Sequence, residues 1–307
     1  MNCCILLITY KRPTFLPHLL SAVSASSLPV FIYQNASPLQ PPDDNYRLVN
    51  TLISSHIRAH PLSSYFVAPH HLPVGRSIEY AISYVSDLSF DYSLVLEDDL
   101  SLDFSLESLH YYFDLLHRYE RSASLSFHTP FEGSVFKALF LSPLFHSWGY
   151  ILRNSIWRQY LSFNNELLAL FFSQIHNRAI PLCVRAYYAL AYLSEVGIVT
   201  TWDYQWSAYC FYFGYTHILL PHSLSHHLGD DKFSTHKSTV RGHLKLQETT
   251  MTLVSSQDNV YRLDSCHLLF KEHHKLGHLQ SLLLIVLATL PSFLSRAIVH
   301  SYRLLRA

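Results

Sequence analysis

The chain has 307 residues, enough for one large domain with a full core, or one domain with an appendage. Its 22 lysines and arginines balance 22 aspartates and glutamates, so no global charge draws a polyanion and nucleic acid is not an expected partner. Only 14% of residues are charged against 49% apolar, and the 8 glycines form neither a GxGxxG nor a Walker sequence, which excludes a Gly-rich phosphate loop.

Cys3, Cys4, Cys183, Cys210 and Cys266 make no CxxC pair and no zinc spacing, a usage that fits a reducing compartment. The first apolar run is too short for a secretory leader, and Lys11-Arg12 follows it rather than preceding it; a cytoplasmic location is expected. Most of the 21 histidines, including the pairs His70-His71, His226-His227 and His273-His274, read as surface or packing residues.

Residues 3–9 predict a buried strand, and Pro13 opens a helix over 14–23. A second strand over 29–34 closes in Asn35-Ala36-Ser37-Pro38, and 38–45 form an exposed loop. A helix over 46–59 and a strand over 64–68 follow. Ile78, Ala81, Ile82 and Val85 then lie on one face of a helix that begins after Gly75. The strand Tyr92–Glu97 comes next, and after it a helix with Leu106, Leu109, Phe113 and Leu116 on one side. Strands are also expected at 125–127, 147–153 and 215–221, and helices at 154–161, 166–193 and from Trp202 onward. Such repeated βα units predict an α/β fold with a mostly parallel central sheet flanked by helices.

The fourth strand runs straight into Glu97-Asp98-Asp99. Three adjacent carboxylates repel one another and need solvent, protons or cations to be tolerated. At the carboxyl edge of a parallel sheet, where ligands bind, a divalent metal is the natural neutraliser, and oxygen ligands suit Mg²⁺ or Mn²⁺ bridging to phosphates.

Beyond residue 250 the character changes. Residues 281–294 are almost wholly apolar but broken by Pro291, and Arg296, Arg303 and Arg306 follow. This is short for a spanning helix. It fits a basic amphipathic segment on the inner face of a membrane, through residues 281–307, or else a core or dimer helix. The division expected is 1–250 for the main domain and 251–307 for a C-terminal helical appendage.

Ile8-Thr9-Tyr10-Lys11-Arg12-Pro13, Gln34-Asn35-Ala36-Ser37, Leu96-Glu97-Asp98-Asp99, Trp148-Gly149, Trp202-Asp203-Tyr204-Gln205-Trp206, and Gly229 with Thr235-His236 stand in this order over residues 3 to 237. Together they resemble the nucleotide-diphospho-sugar glycosyltransferases of GT-A fold. The likeness is to bacterial haemolytic protein-like sugar transferases, themselves similar to the inverting N-acetylglucosaminyltransferase I family. The late segment departs from that pattern, with Asp230-Asp231-Lys232-Phe233-Ser234 where a second glycine and an acid are usual.

The resemblance implies a hexosyl- or N-acetylhexosaminyl-transferase that uses a nucleotide-sugar donor, a saccharide or lipid-linked acceptor, and Mn²⁺ or Mg²⁺. It implies Asp99 as metal ligand, with Glu97 and Asp98 on ribose or a metal-bound water. Thr9, Tyr10, Arg12 and Asn35 would lie along the nucleotide, with Gly75 and Arg76 at an anion-facing helix start. Trp148, Trp202 and Trp206 would stack on sugar or pack in the core, His236 would bind metal or diphosphate or serve structurally, and Asp203 would be the catalytic base of an inverting transfer, its pKa raised by aromatic burial, or an acid that complements a helix start. Two other readings share these features: a nucleotidyltransferase acting on a sugar phosphate, and a catalytically inactive membrane-bound partner protein.

Overall fold

The computed structural model describes residues 1–129, 138–199 and 201–228, the backbone of 251–255, 260–263 and 278–279, and residues 280–291 and 295. Its centre is β1 (Cys3–Thr9), all seven residues of which are buried. Parallel neighbours on both sides explain why this strand is a continuous apolar run rather than an alternating one. One is β2 (Val30–Gln34), reached through α1 (Leu16–Ser24); the other is β4 (Tyr92–Glu97). Beyond β2 and the helix α2 (Asp44–Ala59) lies the parallel edge strand β3 (Ser63–Val67), and α3 (Val74–Ser86) leads back to β4.

The proline in the first turn of α1 is Pro17 rather than Pro13, so that helix starts two residues later than expected. Helix α2 starts two residues earlier, because the Asp43 carboxylate accepts from the Tyr46 amide as a cap.

After β4 the acids run into a three-residue strand, β5 (Leu100–Leu102), before a short 3₁₀ turn and α4 (Leu109–Arg118). The remaining strands of the main sheet are β6 (Ser122–Ser126), β7 (Leu139–Ser142), β8 (Tyr150–Arg153) and β9 (Thr216–Leu219). Between β8 and β9 come α5 (Asn154–Ser162), α6 (Asn164–His176), α7 (Leu182–Glu195) and α8 (Asp203–Tyr212). The apolar stretch 166–193, expected as helical throughout, is divided at Asn177 and Pro181, with Pro181 heading the second helix.

The sheet has parallel pairs in the majority, as expected, with antiparallel ones among them: β3, β2, β1 and β4 run parallel, whereas β8 is antiparallel to both β4 and β6. Strand β6 is serine-rich yet wholly buried, which its hydroxyls allow. Ser124 Oγ meets His217 Nδ1 at 2.9 Å, and Ser126 Oγ donates to the His146 carbonyl at 2.8 Å. Helices α1, α2 and α4 cover one face, and α3, α5, α7 and α8 the other.

The last described strand before residue 229 is β10 (Ser225–His227), which pairs antiparallel with β5 in a separate small sheet. Past residue 250, where a purely helical appendage is expected, β11 (Met251–Ser255) and β12 (Val260–Leu263) extend the main sheet beside β7. Helix α9 (His278–Thr289) follows, with Leu287 and Ala288 buried in the core that α7 shares. Among the described residues no helix is long and apolar enough to cross a membrane.

Candidate active site

Strands β1 and β4 lie in parallel register with Ile8 beside Glu97, so the segments that leave their carboxyl ends emerge together. The backbone N–H of Tyr10 donates to Asp98 Oδ2 at 2.9 Å. Arg12 ion-pairs with the Asp99 carboxylate and lies 3.5 Å from Asp98 Oδ1. Asp98 and Asp99 are both buried, so these contacts satisfy groups that have lost water.

Each acid has its own electrostatic setting. Glu97 keeps part of its surface open although protein atoms crowd it. That crowding, then the charges of Asp99 and Asp98, pushes its carboxyl well above the usual range against the pull of Arg12. Burial acts in the same sense on Asp99, but the hydrogen bond from His227 and the charge of Arg12 outweigh it and hold that carboxyl below its ordinary value.

His227, which the sequence places among surface or packing histidines, meets Asp99 at the acidic edge. Pairing of β10 with β5 sets His227 opposite Leu100, and the Leu228 amide donates to the Asp99 carbonyl at 2.7 Å. The ring stacks on Trp148 at 5.0 Å, with His128 against the indole at 4.5 Å. Gly149 (φ +77°) lets the chain turn there, where a Cβ would lie 3.3 Å from Ser225. A sequence signal did exist, since residue 227 follows a strand-like return, but a pairing of two three-residue strands leaves no periodicity to detect. Gly229, Thr235 and His236 lie outside the described residues.

Asp203 is the first residue of α8, and the Thr201 hydroxyl donates to its Oδ1. Gly75 brings α3 against this segment: a Cβ on it would lie 3.0 Å from the Thr201 carbonyl carbon and oxygen and 3.4 Å from the Trp202 nitrogen. The charge of Asp203 reaches Glu97, and Tyr150 feels both carboxylates. The Tyr150 ring, in register beside Val95 of β4, lies 6.0 Å from that of Trp202, which brings the Asp203 segment toward the acidic strand.

The other expected residues divide by what they touch. Tyr10 is half-buried, its ring 5.7 Å from His71 and 6.4 Å from Tyr46, with the Lys11 ammonium 5.2 Å from its centre. Thr9 is buried and donates to the Tyr33 carbonyl at 3.0 Å. Asn35 clasps the backbone of Leu72, giving a hydrogen bond at 2.7 Å and taking one at 3.0 Å. Arg76 bridges Glu79 at 2.7 Å and Glu195 at 3.0 Å, tying α3 to α7. Trp202 is only 3% exposed and Trp206 is fully buried. Packed among Phe145, Tyr150 and Trp157, the Trp202 ring is core that backs the site, not a stacking surface for sugar. The cavity lined by Met1, Asp91, His117, Arg153 and Arg158 is at the opposite, amino end of β1 and β4.

No protein-family profile and no curated protein matches the sequence. Among solved structures the chain is similar to a cytidylyltransferase from Leptospira borgpetersenii serovar Hardjo-bovis, at 13% identity and a TM-score of 0.35, covering 53% of this chain and 64% of that one. It is also similar to S. aureus TarS, at 12% identity and a TM-score of 0.38, with 64% of this chain and 43% of that one covered. For the glycosyltransferase GlyE of Streptococcus pneumoniae TIGR4 the figures are 13% and 0.35, with 55% and 38% covered. The chain spans less than two thirds of the length of each of these three proteins, and likenesses this slight carry no function across.

Proposed function

We propose that the chain is a GT-A glycosyltransferase that moves a sugar from a nucleoside-diphosphate donor to an acceptor hydroxyl with inversion. The observation that carries this reading is that the Tyr150 ring, in register beside Val95 of the acidic strand β4, lies 6.0 Å from Trp202, the residue before Asp203. An inverting transfer needs a base on one side of the sugar and a stabilised leaving diphosphate on the other. Asp203 is assigned the first task, taking the proton of the incoming hydroxyl. Arg12 is assigned the second, its guanidinium already at the edge where the diphosphate would lie. The half-buried Tyr10 ring, with Tyr46 and His71 beside it, suits a nucleotide base.

The donor set at Asp99 fits Mn²⁺ or Mg²⁺. Such ions commonly take one or two protein ligands and fill the rest of their shell with phosphate oxygens and water. The lack of a cluster of three or more metal-ligating side chains among the described residues is therefore compatible with a cation. Asp99 would hold it, with His227, whose Nε2 meets a carboxylate oxygen at 3.1 Å, as the supporting partner of that ligand. When bound, the cation would neutralise charge that develops on the departing diphosphate.

Leu282, Leu283 and Val286 form an exposed apolar face on α9. With the basic residues Arg296, Arg303 and Arg306 that follow in sequence, this supports a place for the protein on an anionic membrane surface. Retention on phosphatidylglycerol vesicles, lost in a Leu283→Glu/Val286→Glu variant, is the expected behaviour.

The deciding experiment for catalysis incubates the protein with a panel of nucleotide sugars, with and without Mn²⁺. Release of free nucleoside diphosphate is expected. Pyrophosphate release from a nucleoside triphosphate and a sugar phosphate would replace this reading with nucleotidyl transfer, and silence on every donor would leave a binding protein.

A further inference from the structure

Gln34 is the last residue of β2 and is fully buried, yet both ends of its amide are engaged. Its Nε2 donates to the Tyr10 carbonyl at 2.9 Å, and its Oε1 accepts from the Tyr65 hydroxyl at 2.6 Å. That hydroxyl, on the edge strand β3, also lies 3.1 Å from Asn50 Oδ1 of α2. Tyr10 is therefore pinned through both of its backbone polar groups, its N–H by Asp98 and its carbonyl by Gln34. An apolar side chain at this depth would avoid the cost of dehydrating an amide, so what the amide gains is a fixed place for the backbone it holds. The residues after it brace a neighbouring ring. Asn35 clasps the Leu72 backbone, and the Ala36 carbonyl lies 2.9 Å from Nδ1 of His71. The end of β2 thus secures both members of one aromatic pair, Tyr10 and His71, whose centres are 5.7 Å apart.

We propose that Gln34 is a positioning residue that sets the Tyr10 ring for the nucleobase of the donor. The assignment rests on the transferase reading above, in which the base packs on Tyr10 and the diphosphate lies at Arg12 and Asp99. Being fully buried, Gln34 meets no ligand itself and acts through the Tyr10 carbonyl. Tyr10 follows the last residue of β1, where the chain leaves the sheet and its backbone would otherwise be free to turn. The paired bonds to Asp98 and Gln34 remove that freedom before a ligand arrives, so the ring does not have to be ordered when the base binds.

The test is Gln34→Met, which keeps the length of the side chain and removes both amide bonds. Calorimetric titrations with Mn²⁺ would compare uridine, guanosine and cytidine diphosphates with inorganic pyrophosphate, which has no base. The variant is expected to bind the accepted nucleoside diphosphate about three- to tenfold more weakly, the loss typical of one neutral hydrogen bond, and pyrophosphate within about twofold of wild type. In a Tyr10→Ala background the substitution should add nothing to the loss, because a residue that acts through Tyr10 then has no ring left to set. Equal affinity of variant and wild type for the nucleoside diphosphate overturns the assignment. So does an equal loss for pyrophosphate, or a loss that persists in full without the Tyr10 ring, since either marks general support of the strand ends. Where Gln34→Met fails to fold, Tyr65→Phe leaves Gln34 in place but frees its oxygen, and the same discrimination against the nucleoside diphosphate is expected of it. If the wild-type chain binds no nucleoside diphosphate, the transferase reading itself fails and this assignment falls with it; a wild type that binds and a variant that binds equally well strike the assignment alone.

Discussion

His227 Nε2 lies 3.1 Å from Asp99 Oδ2, the same oxygen that faces the guanidinium of Arg12. One carboxylate is thus shared by an imidazole on β10 and an arginine from the beginning of the chain. A buried carboxylate needs such partners, and their removal exposes it to the full cost of dehydration.

Replacing His227 with alanine is expected to weaken cation-dependent binding of a nucleotide sugar by about tenfold, the low end of what loss of a ligand's supporting partner does. Titrations in Mn²⁺ and in EDTA would separate the cation-dependent part from the rest. Wild-type affinity in the variant would reduce His227 to a packing group on Trp148.

Asp203→Asn keeps the shape of the side chain, and an amide can still accept from Thr201 at its oxygen. It cannot take a proton from an acceptor hydroxyl. Turnover should fall by about a hundredfold or more, with donor affinity within about twofold of wild type. Full turnover with Asp203→Asn would remove it as the base.

Gly75→Ala tests the contact that seats the Asp203 segment. Alanine improves helix propensity in α3 by up to about 1 kcal/mol. Against this, the new methyl would meet backbone atoms of Thr201 at 3.0 Å, and overpacking of that kind costs about 1–3 kcal/mol. The two effects partly offset in stability, so the melting temperature should drop only modestly. The geometry of Asp203 has no such offset. A shift of a few tenths of an ångström at its start should lower kcat by about tenfold, because catalysis is steeply sensitive to placement. Unchanged kcat with an unchanged melting temperature would show that Thr201 yields freely.

The half of the sheet that carries β1, β2 and β4 is written plainly in the sequence, because strands buried on both faces must be apolar and the helices between them repeat at helical spacing. The site was legible where it rests on that half: Thr9 to Arg12 and Glu97 to Asp99 stand on adjoining strand ends. The other half hid behind polar residues. Strand β6 buries serines by bonding them to His217 and to the His146 carbonyl, a tertiary arrangement that no local pattern announces. His227 reaches Asp99 through two three-residue strands far apart in sequence. For Trp202 the sequence leaves a sugar platform and a core residue both open, because tryptophan serves surfaces and cores, and only the packing of Phe145, Tyr150 and Trp157 around it decides between them.

His217 offers a prediction about stability that is independent of catalysis. The ring is fully buried in β9, its Nδ1 is 2.9 Å from Ser124 Oγ, and its Nε2 has no partner among the described residues. Burial lowers its pKa from 6.5 to about 3, so the folded state holds it neutral. In the unfolded chain it takes a proton at its ordinary value. Between those two limits the unfolded state binds one proton more than the folded state, and stability falls as the pH falls, by about 1.4 kcal/mol per unit. The contribution is complete above pH 6.5 and is lost progressively toward pH 3. His217→Gln removes the titration and retains a polar group for Ser124. Urea unfolding at pH 7 and pH 5 should show the wild type losing about 2 kcal/mol more than the variant over that interval. Parallel losses in the two proteins would mean that the buried imidazole accepts its proton without unfolding the chain.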